Sequence, residues 1–290
     1  MNTRVLGADL EVSAIGLGCM GFSHAYGAPT EKSEAIRSIR AAYDMGYTLF
    51  DTAETYGTAA DPHENEKLVG EALKDIRDHV QIVTKFGTRF DETSTAVNKP
   101  LIPDSRPETI RASVEGSLRR LGTNHIDLYF QHRMDPGVEP EAVAQVMADL
   151  IREGKITHWG VSEANGDYLR RAHAVCPVTA VQNRYSIAFR PKQKIDALEK
   201  LLNISAPEMF SSFLSELISE IMICGRHFGR RPEAPPPLLA GQLRRSAFQS
   251  KMIPVRGSIS NSYFMPSKNS SPSYLSRPSP DSSRISISSA

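Results

Sequence analysis

Cysteine is scarce in this chain of 290 residues: there are three, Cys19, Cys176 and Cys224. Three is an odd number and the spacing is wide. They form neither a disulfide framework nor a metal-ligand cluster, and a reducing compartment is expected. No apolar run approaches the roughly 20 residues needed to cross a bilayer. Residues 1–12 lack the basic start and apolar run of a signal peptide. No membrane partner is expected, and the expected location is cytoplasmic. Neither charge sign is in excess: the formal net charge is +1, which gives no reason to expect a nucleic-acid partner. Gly16, Gly18 and Gly21 do not make a GxGxxG loop, because the third glycine is misplaced, so the phosphate cradle of a doubly wound fold is not indicated. Asp61, His63, Glu64 and Glu66 lack the spacing of a known metal helix. They read as a solvated loop and helix start, and no metal is expected.

What is present is an alternation. Apolar residues make up 40% and charged residues 23%, the balance of an ordinary globular protein. Short apolar runs stand at 13–19, 47–53, 80–86, 126–132, 156–162 and 179–185. Segments with helical spacing follow them near 31–45, 64–75, 107–121, 139–153, 166–175 and 193–203. Thr30 with Glu34, and Ser105 ahead of Pro107 and Glu108, offer helix-start chemistry. Gly46 and Gly122 stand where helices should stop. Strand-then-helix units in succession imply a parallel sheet with helices outside. The strands are apolar on both faces, as such a sheet requires. Val5-Leu6 and Leu10-Val12 around Gly7-Ala8-Asp9 read as a hairpin ahead of the first strand. The expected fold class is α/β, of the (β/α)8 TIM-barrel type, with about six β/α units present.

After about residue 203 the composition changes. The last 87 residues hold 21 serines, against 10 in the first 203, with 10 Lys/Arg and 5 Asp/Glu. Such text does not bury enough apolar surface to fold alone. The expected organisation is a barrel domain over 1–203 and an irregular tail over 204–290. One helix is expected at 208–224, where Phe210, Phe213, Leu214, Leu217 and Ile221 fall at helical spacing. From about 230 onward no regular packing is expected.

In an α/β barrel, chemistry sits at the C-terminal ends of the strands and in the loops that follow. The second run ends with Asp51, and Tyr56 lies in the loop beyond it; the third ends with Lys85 and the fourth with His132. Ionisable groups that end apolar strands are costly to bury unless paired. Three in phase on one rim, with a tyrosine, point to catalysis. Reducing a carbonyl needs hydride at carbon and a proton at oxygen. A tyrosine can supply the proton if a neighbouring ammonium lowers its pKa from about 10. Lys85 can be that ammonium, Asp51 can hold it, and His132 can orient the carbonyl oxygen. Hydride is cofactor chemistry, so a nicotinamide is implied. His24 and Tyr26 stand in the loop after the first run, where they could equally line a substrate pocket or face solvent.

The text Gly46-Tyr47-Thr48-Leu49-Phe50-Asp51-Thr52-Ala53-Glu54-Thr55-Tyr56-Gly57 carries a resemblance. So do the stretches 64–73, 83–87, 117–121 and 126–129. In this order they resemble the aldo-keto reductase superfamily, over about residues 3–203. His132-Arg133-Met134-Asp135-Pro136 resembles its bacterial, fungal and plant-type members of the pyridoxal-reductase and general-stress kind. The resemblance implies an NADP(H)-dependent oxidoreductase that converts a small aldehyde or ketone to an alcohol, with Asp51, Tyr56, Lys85 and His132 as catalytic tetrad. It also implies that Ser162 and Gln182 contact the nicotinamide amide, with Glu163 standing where many members have asparagine.

The resemblance ends near Ser205. The aromatic-Ser-Pro motif of the family's seventh strand and its arginine-bearing phosphate helix have no counterpart. Ile253-Pro254-Val255-Arg256-Gly257-Ser258 resembles the phosphate strand only faintly and is read as coincidence. A shifted reading frame or an alternative terminal exon near 202–205 is inferred. A barrel without strands seven and eight would expose the edges of strands one and six. The alternative function is therefore a truncated or non-catalytic product with impaired cofactor binding, or a binding subunit.

Overall fold

The computed structural model describes residues 1–25, 27–58, 60–95, 99–183 and 251–254. The 193–203 and 208–224 helix expectations, Tyr26 and Cys224 lie outside them. The chain opens with a hairpin, β1 (Thr3–Leu6) and β2 (Leu10–Ser13), paired antiparallel around Gly7. Then strands and helices alternate: β3 (Leu17–Gly18), α1 (Lys32–Asp44), β4 (Leu49–Asp51), α2 (Glu64–Leu73) and β5 (Gln81–Phe86). A short hairpin not expected from the sequence follows, β6 (Thr88–Phe90) with β7 (Leu101–Pro103). The series resumes with α3 (Pro107–Leu121), β8 (Ile126–Gln131), α4 (Pro140–Arg152), β9 (Ile156–Ser162), α5 (Gly166–Val175) and β10 (Ala180–Asn183). The last described strand is β11 (Lys251–Pro254).

β3, β4, β5, β8, β9 and β10 lie side by side in that order, all parallel. Each strand neighbours the next across a helical connection, which is the β/α-barrel arrangement. Side chains alternate across a strand. One face of the sheet therefore sends Phe50, Ile82, Tyr129, Trp159 and Val181 under the helices, into a core with Ile39, Val69, Val114 and Met147. The other face sends Leu49, Val83, Leu128, Phe130 and Ala180 inward, where Leu6, Leu10 and Val12 of the opening hairpin pack against them. The hairpin thus covers apolar surface inside the curl of the sheet. Gly160 belongs to this inner face. A Cβ there would stand 2.4 Å from the Phe130 ring, so that ring occupies the space a side chain would take.

Two local expectations shift. Glu31, not Thr30, caps α1, its carboxylate accepting from the Glu34 N–H at 3.0 Å. Ser105 does not cap α3. Its N–H donates to Asp135 and its hydroxyl accepts from Gln131, while Pro107 starts the helix. The larger difference is in the tail. Packing was not expected beyond about 230, yet Lys251–Pro254 pairs antiparallel with β10, in register Val181 with Ile253 and Gln182 with Met252. The physical reason lies in β10: an open edge of a parallel sheet is a row of unpaired N–H and C=O groups, and a strand satisfies them.

Candidate active site

The inner-face alternation places the polar residues. Leu49 points inward, so two residues on Asp51 does too. Val83 leads in the same way to Lys85, Phe130 to His132, Gly160 to Ser162 and Ala180 to Gln182. Period two carries each apolar inner position to a polar one at the C-terminal rim. Five strands thereby deliver their rim residues to one place, and Tyr56 arrives from the β4–α2 loop.

Lys85 is buried, its ammonium 2.6 Å from Asp51 Oδ1 and 2.7 Å from the Thr52 carbonyl. It lies 4.8 Å from the centroid of the Tyr56 ring. The His132 ring meets Tyr56 edge-on at 5.5 Å between centroids. The His24 ring stacks on Tyr56 at 6.0 Å between centroids. Gln182 Nε2 donates to Asp51 Oδ2 at 3.3 Å. A chain of contacts therefore runs from Gln182 through Asp51, Lys85 and Tyr56 to His132. Ser162 is tied to them through Arg133, whose guanidinium donates to the His132 carbonyl at 2.5 Å and reaches the Ser162 hydroxyl at 3.4 Å. Glu163 has a left-handed backbone, φ 57°, and its N–H donates to the Gln182 carbonyl at 2.9 Å.

The electrostatics correct one expectation. The Tyr56 phenol is not lowered. Burial raises its pKa, Lys85 pulls it down, and Asp51 pushes it up again, with a net rise. Burial alone would lower Lys85, but Asp51 and Tyr56 outweigh it, so the ammonium is held charged. Burial, followed by Lys85 and Arg133, holds His132 well below its usual range, so its imidazole is neutral. The site thus presents a protonated phenol, a fixed ammonium and a neutral imidazole.

The loop that carries Tyr56 is fixed by Ser23, His24 and Asn65, of which the sequence singled out only His24, as a candidate pocket residue. Ser23 Oγ donates to the Tyr56 carbonyl at 2.7 Å, and His24 Nδ1 lies 2.9 Å from the Gly57 carbonyl. Asn65, fully buried on α2, donates to Ser23 Oγ and to the Cys19 carbonyl and accepts from the Thr52 hydroxyl at 2.6 Å. The signal for Asn65 and Glu66 was available: both stand among the positions that α2 buries with Leu68, Val69 and Leu73. The Asp61 carboxylate pairs with Lys67 and accepts from the His63 main-chain N–H, while the His63 ring meets the Glu54 carbonyl. Trp159, Cys19 and Cys176 are buried in the packing.

The sequence profile of the Aldo/keto reductase family matches residues 14–206. The chain belongs to this family. The family's (β/α)8 barrel is the architecture that the six parallel strands build in part. A "Probable aldo-keto reductase 1" of Glycine max is 42% identical over 182 residues, 61% of this chain and 49% of the relative. The chain thus spans about half the length of that curated relative. A glycerol dehydrogenase of Gluconobacter oxydans aligns at 32% identity and TM-score 0.56, over 65% of this chain and 56% of the other. A Bacillus halodurans aldo-keto reductase in its holo form aligns at 29% identity and TM-score 0.59, over 71% and 64%. Among the described residues, no helix is long and apolar enough to cross a membrane.

Proposed function

We propose that the chain reduces a small aldehyde or ketone to an alcohol with NADPH, with Tyr56 as the general acid. The observation that carries this reading is the arrangement of Lys85. It is an ammonium buried at the rim, neutralised by Asp51 at 2.6 Å and set 4.8 Å from the Tyr56 ring. A buried charge is retained where it stabilises charge that appears during reaction. The phenolate left after proton donation is such a charge.

A bound nicotinamide would supply the hydride. Tyr56, a phenol at neutral pH, holds the proton for the carbonyl oxygen. Lys85 offsets the negative charge that develops when that proton leaves. The neutral His132 can donate one hydrogen bond to the same oxygen and so fix the carbonyl over the phenol. Its Nδ1 lies 3.4 Å from the Thr88 hydroxyl, which leaves Nε2 for the substrate. The donor set suits a carboxamide: Ser162 carries a hydroxyl and Gln182 an amide, both buried at the rim, Gln182 beside Asp51. Glu163 brings only acceptors, so it can take the carboxamide N–H but cannot donate to its oxygen. The preference for NADPH over NADH, and a cytoplasmic location, rest on the family likeness.

A second reading is a non-catalytic member with impaired cofactor binding, or a binding subunit. It is favoured by the family match stopping at residue 206. The test is steady-state oxidation of NADPH with benzaldehyde by the full chain, alongside fluorescence titration with NADPH and NADH. Turnover with selective NADPH binding supports the reductase. No turnover and no cofactor binding by a folded chain overturns it in favour of the second reading.

A further inference from the structure

Behind the tetrad, on the outer face of the sheet, lies a charge imbalance that the proposed chemistry does not use. Glu54, in the Tyr56 loop, and Glu66, on α2, are both buried, and both turn toward Arg120 on α3. Close helix approach builds this place. A Cβ on Gly70 would stand 2.5 Å from the Leu121 carbonyl oxygen, so α2 meets α3 main chain to main chain one turn beyond Glu66. The Arg120 side chain folds back over Gly116, where a Cβ would stand 2.6 Å from its guanidinium.

The two carboxyls are not served equally. Glu66 accepts from Arg120 Nε at 2.6 Å and from the Thr84 hydroxyl at 2.6 Å. Glu54 is left with the Ser113 hydroxyl at 3.2 Å and Arg120 at 3.9 Å. Two buried carboxylates against one guanidinium leave one negative charge uncompensated, and a group so placed keeps its proton. The bonding pattern gives Glu66 the charge and Glu54 the proton. Glu54 also ties the loop to the catalytic strand: its N–H donates to the Lys85 carbonyl at 3.3 Å, and its carbonyl lies 2.5 Å from His63 Nδ1. Tyr56 stands two residues further on.

We infer that Glu54 is a positioning residue held as a neutral carboxylic acid, and that its proton keeps the Tyr56 loop seated against the Lys85 strand. The inference rests on the reading of Tyr56 as proton donor. The groups that face Glu54 are Glu66 from α2, Ser113 and Arg120 from α3, Tyr129 from β8, the Lys85 main chain from β5 and His63 within its own loop. Burial, with Glu66 adding, pushes the Glu54 carboxyl up to about 8; Ser113 and Arg120 work against the rise. When the proton leaves, Glu54 becomes a second buried anion beside Glu66, and relief comes from lifting the loop, and Tyr56 with it. Activity is then lost on the alkaline side through Glu54, ahead of the phenol.

The test uses the full chain and its Glu54→Gln variant, a neutral isostere of the protonated acid. Two readouts are followed across pH: kcat/KM for the NADPH-linked reduction of benzaldehyde, and hydrogen exchange of the amides of residues 54–57 corrected for intrinsic rate. The wild type is expected to lose turnover, and at least about tenfold of loop protection, as pH rises through about 8. In Glu54→Gln both should stay level through that range, with turnover near pH 6 within about threefold of wild type. Identical alkaline limbs and identical loop exchange in the two proteins overturn the inference while leaving the reductase reading intact. A chain without turnover at any pH overturns the reductase reading. The exchange profiles, including that of the wild type alone should the variant not fold, then decide whether the Glu54 proton holds the loop.

Discussion

At the scale of single residues, the site works by opposing burial with charge. The Lys85 ammonium lies 4.8 Å from the Tyr56 ring centroid, and burial raises the phenol's pKa; in the proposed reaction this keeps the proton in place until a substrate takes it. Tyr56→Phe should lower kcat by on the order of 10²–10⁴ while NADPH binding survives; steady-state turnover of benzaldehyde and a parallel binding titration check this. His132 titrates in the opposite sense from Glu54. Folded His132 binds its proton less tightly than the unfolded chain does, so its effect is loss of stability as pH falls below about 6.5. Folded Glu54 binds its proton more tightly, so its contribution is fullest at low pH and fades as pH rises toward about 8. The two effects overlap, and only variants separate them. Replacing His132 with glutamine should remove one proton's dependence, about 1.4 kcal/mol per pH unit below about pH 6.5. Chemical denaturation of both proteins over the acid range measures it.

At the scale of elements, the helices are more than cover for the sheet. α2 and α3 cross so closely at Gly70 that no side chain fits, and this contact brings Glu66 and Arg120 together. Gly70→Ala should cost about 1–3 kcal/mol, because the added methyl must displace the main chain of Leu121 rather than a flexible side chain. The drop should appear as a lower Tm, with the loop carrying Tyr56 less protected. The helix starts teach a smaller lesson. Thr30 and Ser105 had suitable chemistry for caps, but neighbouring Glu31 takes the cap of α1 and Gln131 and Asp135 take the polar groups of Ser105. Local propensity loses to a better partner nearby.

At the scale of the whole molecule, the question is how a six-stranded parallel sheet ends. On the last described parallel strand, β10, the answer is β11, drawn from far along the chain and laid antiparallel on the edge. Amides of Ala180–Asn183 should therefore exchange slowly, in the range of those of β8. A chain ending at residue 250 should lose at least about tenfold of that protection, or about 1.4 kcal/mol of local stability. Equal exchange in both chains would mean that β11 does not hold the edge.

The alternation of strands and helices, the rim positions of Asp51, Lys85 and His132, and the loop position of Tyr56 were all determined by the sequence. These follow from local rules: period two in strands, the apolar stripe of helices, and the cost of ending an apolar strand in a charge. The family likeness was legible for the same reason, since its motifs are the rim residues and their neighbours. Only the tertiary structure decided the rest. The sequence allowed Lys85 to lower the phenol, but burial reverses the sign, and the depth of burial is a property of the assembled sheet and helices. Glu54 sits unremarked between Asp51 and Tyr56 in the chain, and becomes a neutral acid only when α2 and α3 close on it with one guanidinium for two carboxyls. The partner of β10 lies some seventy residues downstream, in text whose composition suggested no packing. Edge pairing satisfies main-chain groups that every residue but proline carries, so composition and periodicity left no mark of β11, and the faint strand likeness at 253–258, which overlaps it, was read as coincidence.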